Sequence, residues 1–170
     1  MSDAFESVAR VLRPDPELEV HTEDHGTPEA VVHALYAALS GSGEPESPRD
    51  WDRLRSLLLP DARFLMTRWP DADGKPREDL RAWDVDGFIT DARSSYGDQG
   101  FWERELWGRT ERFGNIAHRI SAYESVVGSE DADPVGRGVN SFQLVRFDRL
   151  WWIASVIWDV ETPSHPLPEG

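Results

Sequence analysis

The apolar positions of this chain first recur at helical spacing, then alternate in pairs. From Thr27 to Gly41, Val31, Val32, Leu35, Tyr36 and Leu39 fall on one stripe, which predicts an amphipathic helix. Thr27 suits its N-cap, Pro28 its first turn, Glu29 the positive helix end and Gly41 its stop. Asp50 caps a second, shorter helix with Trp51, Leu54, Leu57 and Leu58 inward, ended by Pro60. The period then falls to two: over Asp61–Arg68, Phe64, Met66 and Arg68 alternate with Arg63, Leu65 and Thr67, as in a strand. WPDADGKPREDL reads as a turn-rich connection and LRAW as a short strand. A third helix begins at Asp84 or Asp86, carries Phe88, Ile89, Ala92 and Tyr96, and stops at Gly97. Strands follow at about Phe101–Arg112, Asn115–Val127 and Arg137–Phe147, with one more to Glu161. GSEDADPVG reads as an acidic loop.

The last two strands, Arg137–Glu161, form a hairpin around Asp148-Arg149. Unbroken alternation puts Val139, Ser141, Gln143, Val145 and Phe147 on one face, and Gly138, Asn140, Phe142 and Leu144 on the other. In the second strand Trp152, Ala154, Val156 and Trp158 share a face opposite Trp151, Ile153, Ser155 and Ile157. Both faces are apolar, so both need a cover. A bulge at Asp148–Leu150 would swap them. The order of helices and strands predicts an α+β fold with a curved, mixed, mostly antiparallel sheet covered by about three helices.

The 170 residues suffice for one domain, and eight Trp with seven Phe supply its core. Residues 1–26 read as an acidic leader, a short helix over Phe5–Leu12 or disordered chain, with ELEVHTEDHG loose; 27–161 form the domain and 162–170 a tail. His21 and His25 are too poorly framed for a metal pair, and no metal or cofactor is expected. No apolar run predicts a membrane span or signal peptide, and zero Cys fits a cytoplasmic protein. A net charge of −14 argues against nucleic acid and anionic membranes as partners.

ALYAALSG, DWDRLRSLLLPDARF, FGNIAHRISAYES, RGVNSFQLVRF and WWIASVIWD resemble, in order and spacing, the NTF2-like superfamily, its SnoaL-like and ketosteroid-isomerase-like group in particular. The resemblance covers about Thr27–Glu161. It implies a cone-shaped (cystatin-like) half-barrel around a pocket, commonly in a homodimer, and no particular reaction.

Carried over residue by residue, the resemblance places Tyr36 where isomerases of this group keep an oxyanion-hole tyrosine, and Trp158 at a pocket aromatic. Met66 stands where their general-base aspartate would be, and Gln143 where a protonated aspartate would be. His118 matches a pocket histidine of dehydratase-like members, but no aspartate stands beside Leu39-Ser40-Gly41 to orient it. One of Gln143 and Asn140 is expected to face the cavity, with Arg68 and Glu103 or Glu105 within reach of it. The expected lining is Tyr36, Met66, His118, Gln143, Trp152 and Trp158, with Trp151, Ile153 and Ile157 on an outer face that contacts a second subunit. The expected function is binding of a small apolar molecule. The alternatives are a cofactor-independent isomerase, dehydratase or cyclase with His118 as base and Tyr36/Gln143 polarising a carbonyl, or a non-catalytic dimerisation or protein-interaction domain.

Overall fold

The structure is a computed structural model that describes residues 12–43, 48–70, 76–77 and 79–170. Helix α1 (Pro28–Leu39) starts where Thr27 accepts from the Ala30 N–H through Oγ1 and ends at Ser40. Asp50 and Asp84 cap α2 (Trp51–Ser56) and α3 (Val85–Tyr96) in the same way. Strands β1 (Leu58–Met66), β4 (Arg81–Trp83), β5 (Phe101–Phe113), β6 (Ile116–Val127), β7 (Gly136–Phe147) and β8 (Leu150–Val160) make one six-stranded sheet. The pairs β2 (Trp69–Pro70) and β3 (Pro76–Arg77) form a separate small hairpin inside what the sequence reads as an irregular connection. Helix α2 stops before Pro60, because β1 begins at Leu58 and carries that proline across an irregularity in its pairing with β8. No described helix is long and apolar enough to cross a membrane.

The sheet runs in the order β4-β1-β8-β7-β6-β5, with β1 and β8 parallel and the other neighbours antiparallel. The expected α+β architecture is the observed one. The helices lie over its concave side, where Leu35 of α1, Leu54 of α2 and Ile89 of α3 meet Phe64, Phe142, Leu144 and Ile153 in one core.

Strand parity corrects the reading of the last hairpin. Its turn is tight, with Asp148 and Arg149 both at positive φ (49 and 67), and it carries no bulge. The register shift comes further on: Gln143 faces Ser155 and Leu144 faces Ile153, which leaves Ala154 unpaired. Alternation restarts there. Trp151 and Ile153, expected on an outer subunit face, therefore point into the core, 1% and 0% exposed, alongside Val156. Of that expected face only Ile157 is exposed. Trp152 turns the other way, and Gln143 is exposed beside it on the convex side.

Trp152 is nonetheless buried, because the leader covers it. The helix expected over Phe5–Leu12 lies outside the described residues except for Leu12. The stretch read as loose is fixed at its end: His25 is fully buried, with its ring 4.4 Å from that of Trp152. His25 donates from Nδ1 to the Trp151 carbonyl (2.7 Å), and the Trp151 N–H donates to the His25 carbonyl (3.0 Å). Asp24 accepts two bonds from Arg53, at 2.8 Å each. Burial lowers the His25 pKa below the ordinary 6.5, and its buried Nε2 has no hydrogen-bond partner among the described residues. The unfolded chain then takes up this proton first, so acid favours unfolding below pH 6.5. His25→Asn keeps an N–H donor without the titration. Denaturant melts should show wild type losing stability relative to this variant as pH falls from 7 to 5; parallel profiles would refute the assignment.

Candidate functional site

A cavity of about 350 Å³ opens between the concave sheet and the helices. One side is aromatic. Trp83 of β4 stacks on Trp158 of β8, with centroids 5.7 Å apart and planes 13° apart. Phe88 of α3 stands edge-on to Trp158 and stacks on Phe64 of β1 at 4.0 Å. Cross-strand neighbours bring these rings together: Phe64 lies opposite both Trp83 and Val156, and Met66 lies opposite Trp158.

The other side is polar at its centre. Asn140 of β7, opposite Trp158, donates from Nδ2 to the Tyr36 hydroxyl (3.0 Å) and the Glu103 carboxylate (3.2 Å). The Tyr36 and Ser121 hydroxyls are 2.6 Å apart. Tyr36 already accepts from Asn140, so donation to Ser121 completes its bonding. Ser40, the cap of α1, donates to the Tyr36 carbonyl (2.7 Å) and accepts from the Glu103 N–H (3.0 Å). Helix α1 and strand β5 are thereby locked around the carboxyl. Tyr96, Phe101 and Tyr123 complete this side. Tyr123 is 6% exposed, and a Cβ on Gly138 would lie 2.7 Å from its hydroxyl and closer still to the Asp159 carbonyl, so glycine makes room for the ring.

Burial pushes the Glu103 carboxyl up to about 7, and its bond from Asn140 offsets this only in part. Among the described residues no cation is paired with it. Its neighbour Glu105 is served by Arg119 and His33. Burial also raises the Tyr36, Tyr96 and Tyr123 phenols, assisted in each case by the charge of Glu103, so all three remain protonated at neutral pH.

The residues expected at the site divide between the two faces. Met66 and Trp158 line the cavity, and Tyr36 stands directly behind Asn140. His118 lies opposite Gln143 on the convex side, where its Nε2 is 2.9 Å from the Ser141 hydroxyl. Gln143 and Trp152 are outside the lining, for the parity reason above. The amide facing inward is Asn140, so the pair that meets is Tyr36/Asn140 rather than Tyr36/Gln143. Arg68 is drawn to Asp159, 3.6 Å away. Tyr123 was not among the expected residues, and Glu103 was one of two glutamates expected within reach. Leu106 is left unpaired between Glu105 and Trp107, and only that register fixes which β5 residues turn inward.

No protein-family model matches the chain, and no curated protein sequence matches it. Solved structures do. A protein of unknown function with a cystatin-like fold from Nostoc punctiforme PCC 73102 superposes with TM-score 0.55 at 12% identity, covering 85% of this chain and 99% of its own. An NTF2-like protein of unknown function from Prochlorococcus sp. NATL2A gives 0.53 at 15% identity, over 80% and 94% of the two chains. An NTF2-like protein of unknown function from Silicibacter pomeroyi DSS-3 gives 0.51 at 14%, over 78% and 92%. The chain has the NTF2-like, cystatin-like fold.

A carboxyl whose folded pKa stands above the unfolded value stabilises fully below about 4.5, and that contribution is lost as pH rises through about 7. Glu103→Gln should therefore be more stable than wild type above pH 7, by on the order of 3 kcal/mol, with the gap closing near pH 4. Chemical denaturation across pH measures this, and a pH-independent difference would refute it. Tyr36→Phe strands Ser121 and one Asn140 bond; it should cost about 1–3 kcal/mol, whereas Gln143→Ala should stay within about 0.5 kcal/mol. Equal losses would place both side chains in equivalent surroundings.

Proposed function

We propose that this protein binds a small, planar, largely apolar molecule in the cone cavity. The observation carrying this reading is the aromatic wall in which Trp83 and Trp158 stack on each other, Phe88 packs against Trp158 and Phe64, and the rings together line an open cavity. Leaving such surface around an accessible volume of about 350 Å³ costs burial energy that a ligand would recover. The parallel Trp83 and Trp158 rings favour a flat guest laid along them. Met66 adds an adaptable edge.

The same reading gives His118 no contact with the ligand. Its imidazole bonds to Ser141 on the convex side, and among the described residues no carboxylate bonds to it. A reaction with His118 as base therefore has nothing supporting it here.

Prodan, a neutral planar naphthyl ketone whose emission reports polarity, tests the reading. It should bind with blue-shifted emission and raise the melting temperature. Trp158→Ala should weaken binding about tenfold or more, and His118→Ala should leave it unchanged. Unshifted emission, or equal losses in the two variants, would remove the cavity as the binding site.

A further inference from the structure

Glu103 is the group in this cavity whose chemistry is incomplete. Its carboxyl accepts one bond from Asn140 and pairs with no cation among the described residues. The arginines around the cavity are otherwise engaged: Arg49 donates to the Gln99 carbonyl, Arg137 pairs with Glu161, and Arg81 has a partner of its own. Phe101 precedes Glu103 on the same face of β5. Tyr123 is its diagonal neighbour across β6, and the Tyr96 ring sits 4.5 Å from that of Phe101. A carboxylate among aromatic faces is the arrangement that recognises an organic cation, because ring quadrupoles and the carboxylate attract the same charge. Phe101 already faces one: the Arg49 guanidinium lies 6.0 Å from its centroid.

We propose that the ligand is an organic ammonium compound, its flat apolar body against Trp83 and Trp158 and its charged nitrogen held by the Glu103 carboxylate. This rests on the cavity being the ligand site and adds the charge of what fills it. Asn140 aims the carboxylate by holding one oxygen, leaving the other for the ligand. The net charge of −14 draws cations toward the protein from a distance. An anionic guest would meet Glu103 as a repulsive group, unrelieved by arginines that are already engaged.

Protonation of Glu103 opposes binding. The charged and titratable groups around the cavity are Tyr36 on α1, Tyr96 and Asp91 on α3, Glu105 on β5, Tyr123 on β6, Arg137 on β7, Asp159 on β8, Arg81 on β4 and Arg49 before α2. His33 on α1 bonds to Glu105 rather than to Glu103. The Glu103→Gln variant separates their titration from that of Glu103.

Calorimetry on the full chain at pH 8 would compare naphthylethylamine, its neutral analogue naphthylethanol and the anion naphthylacetate. The amine should bind about tenfold or more tightly than the alcohol, and the anion most weakly. Lowering the pH to 6 should erode the amine's advantage, as Glu103 takes up its proton near 7. Glu103→Gln should abolish that advantage and leave the alcohol's affinity in place. Equal affinity of amine and alcohol, an advantage that survives in the variant, or tightest binding of the anion would each overturn the inference while leaving the cavity reading intact. No binding of any of the three would overturn both.

Discussion

The unpaired residue Ala154 is the constraint on which the rest of this structure depends. A strand without a bulge presents every second side chain to one face. With the register broken at Ala154, β8 turns Trp151, Ile153, Val156 and Trp158 all toward the concave side. The first two fill the core under α1 and α2, and Trp158 becomes the cavity wall. The same break sends Trp152 to the convex side, where it would be a large exposed indole had the leader not been pinned over it by His25 and Asp24. One extra residue thus determines the core, the cavity and the docking of a segment that is distant in sequence.

The cavity combines two demands that ordinarily conflict. Its aromatic wall lowers the local dielectric, and that makes a carboxyl expensive to keep charged. The protein meets part of this cost with one amide bond and leaves the rest as a raised pKa. A cation would have satisfied Glu103 completely, and the fold has one on β6: Arg119, which is spent on Glu105 instead. The thread Ser121–Tyr36–Asn140–Glu103 ties the carboxyl into a chain of hydrogen bonds behind it, while Glu103 itself lines the open space.

The helices, the succession of the long strands along the chain and the fold class were legible in the sequence, because they rest on local signals. Thr27, Asp50 and Asp84 cap as their residue types require, and the alternation in β6 and β7 runs unbroken. Met66 and Trp158 both line the cavity, as the resemblance implied; alternation alone had grouped Trp158 with Trp152, which faces the other way. The readings that failed lie across a bulge or beyond it. Trp151 and Ile153 fall on the far side of Ala154, and the side of the sheet on which Gln143 lies could be judged only by assuming that β8 has no break. Alanine at a bulge leaves no compositional mark, whereas glycine would have done so.

The placement of His118 shows why chemistry is harder to read than fold. A histidine in a β-strand has two possible sides, and a shift of one residue separates a catalytic base from a convex-side residue hydrogen-bonded to Ser141. Glu103 had the opposite problem, since glutamate near the start of a polar-looking strand is ordinarily solvated. What turns it inward is Ser40, which holds its N–H at the end of α1, together with the Leu106 bulge that follows. Both are contacts between segments far apart in the chain. The residues that give this cavity its charge are set by pairing register, and around the cavity that register is interrupted at Leu106 and Ala154.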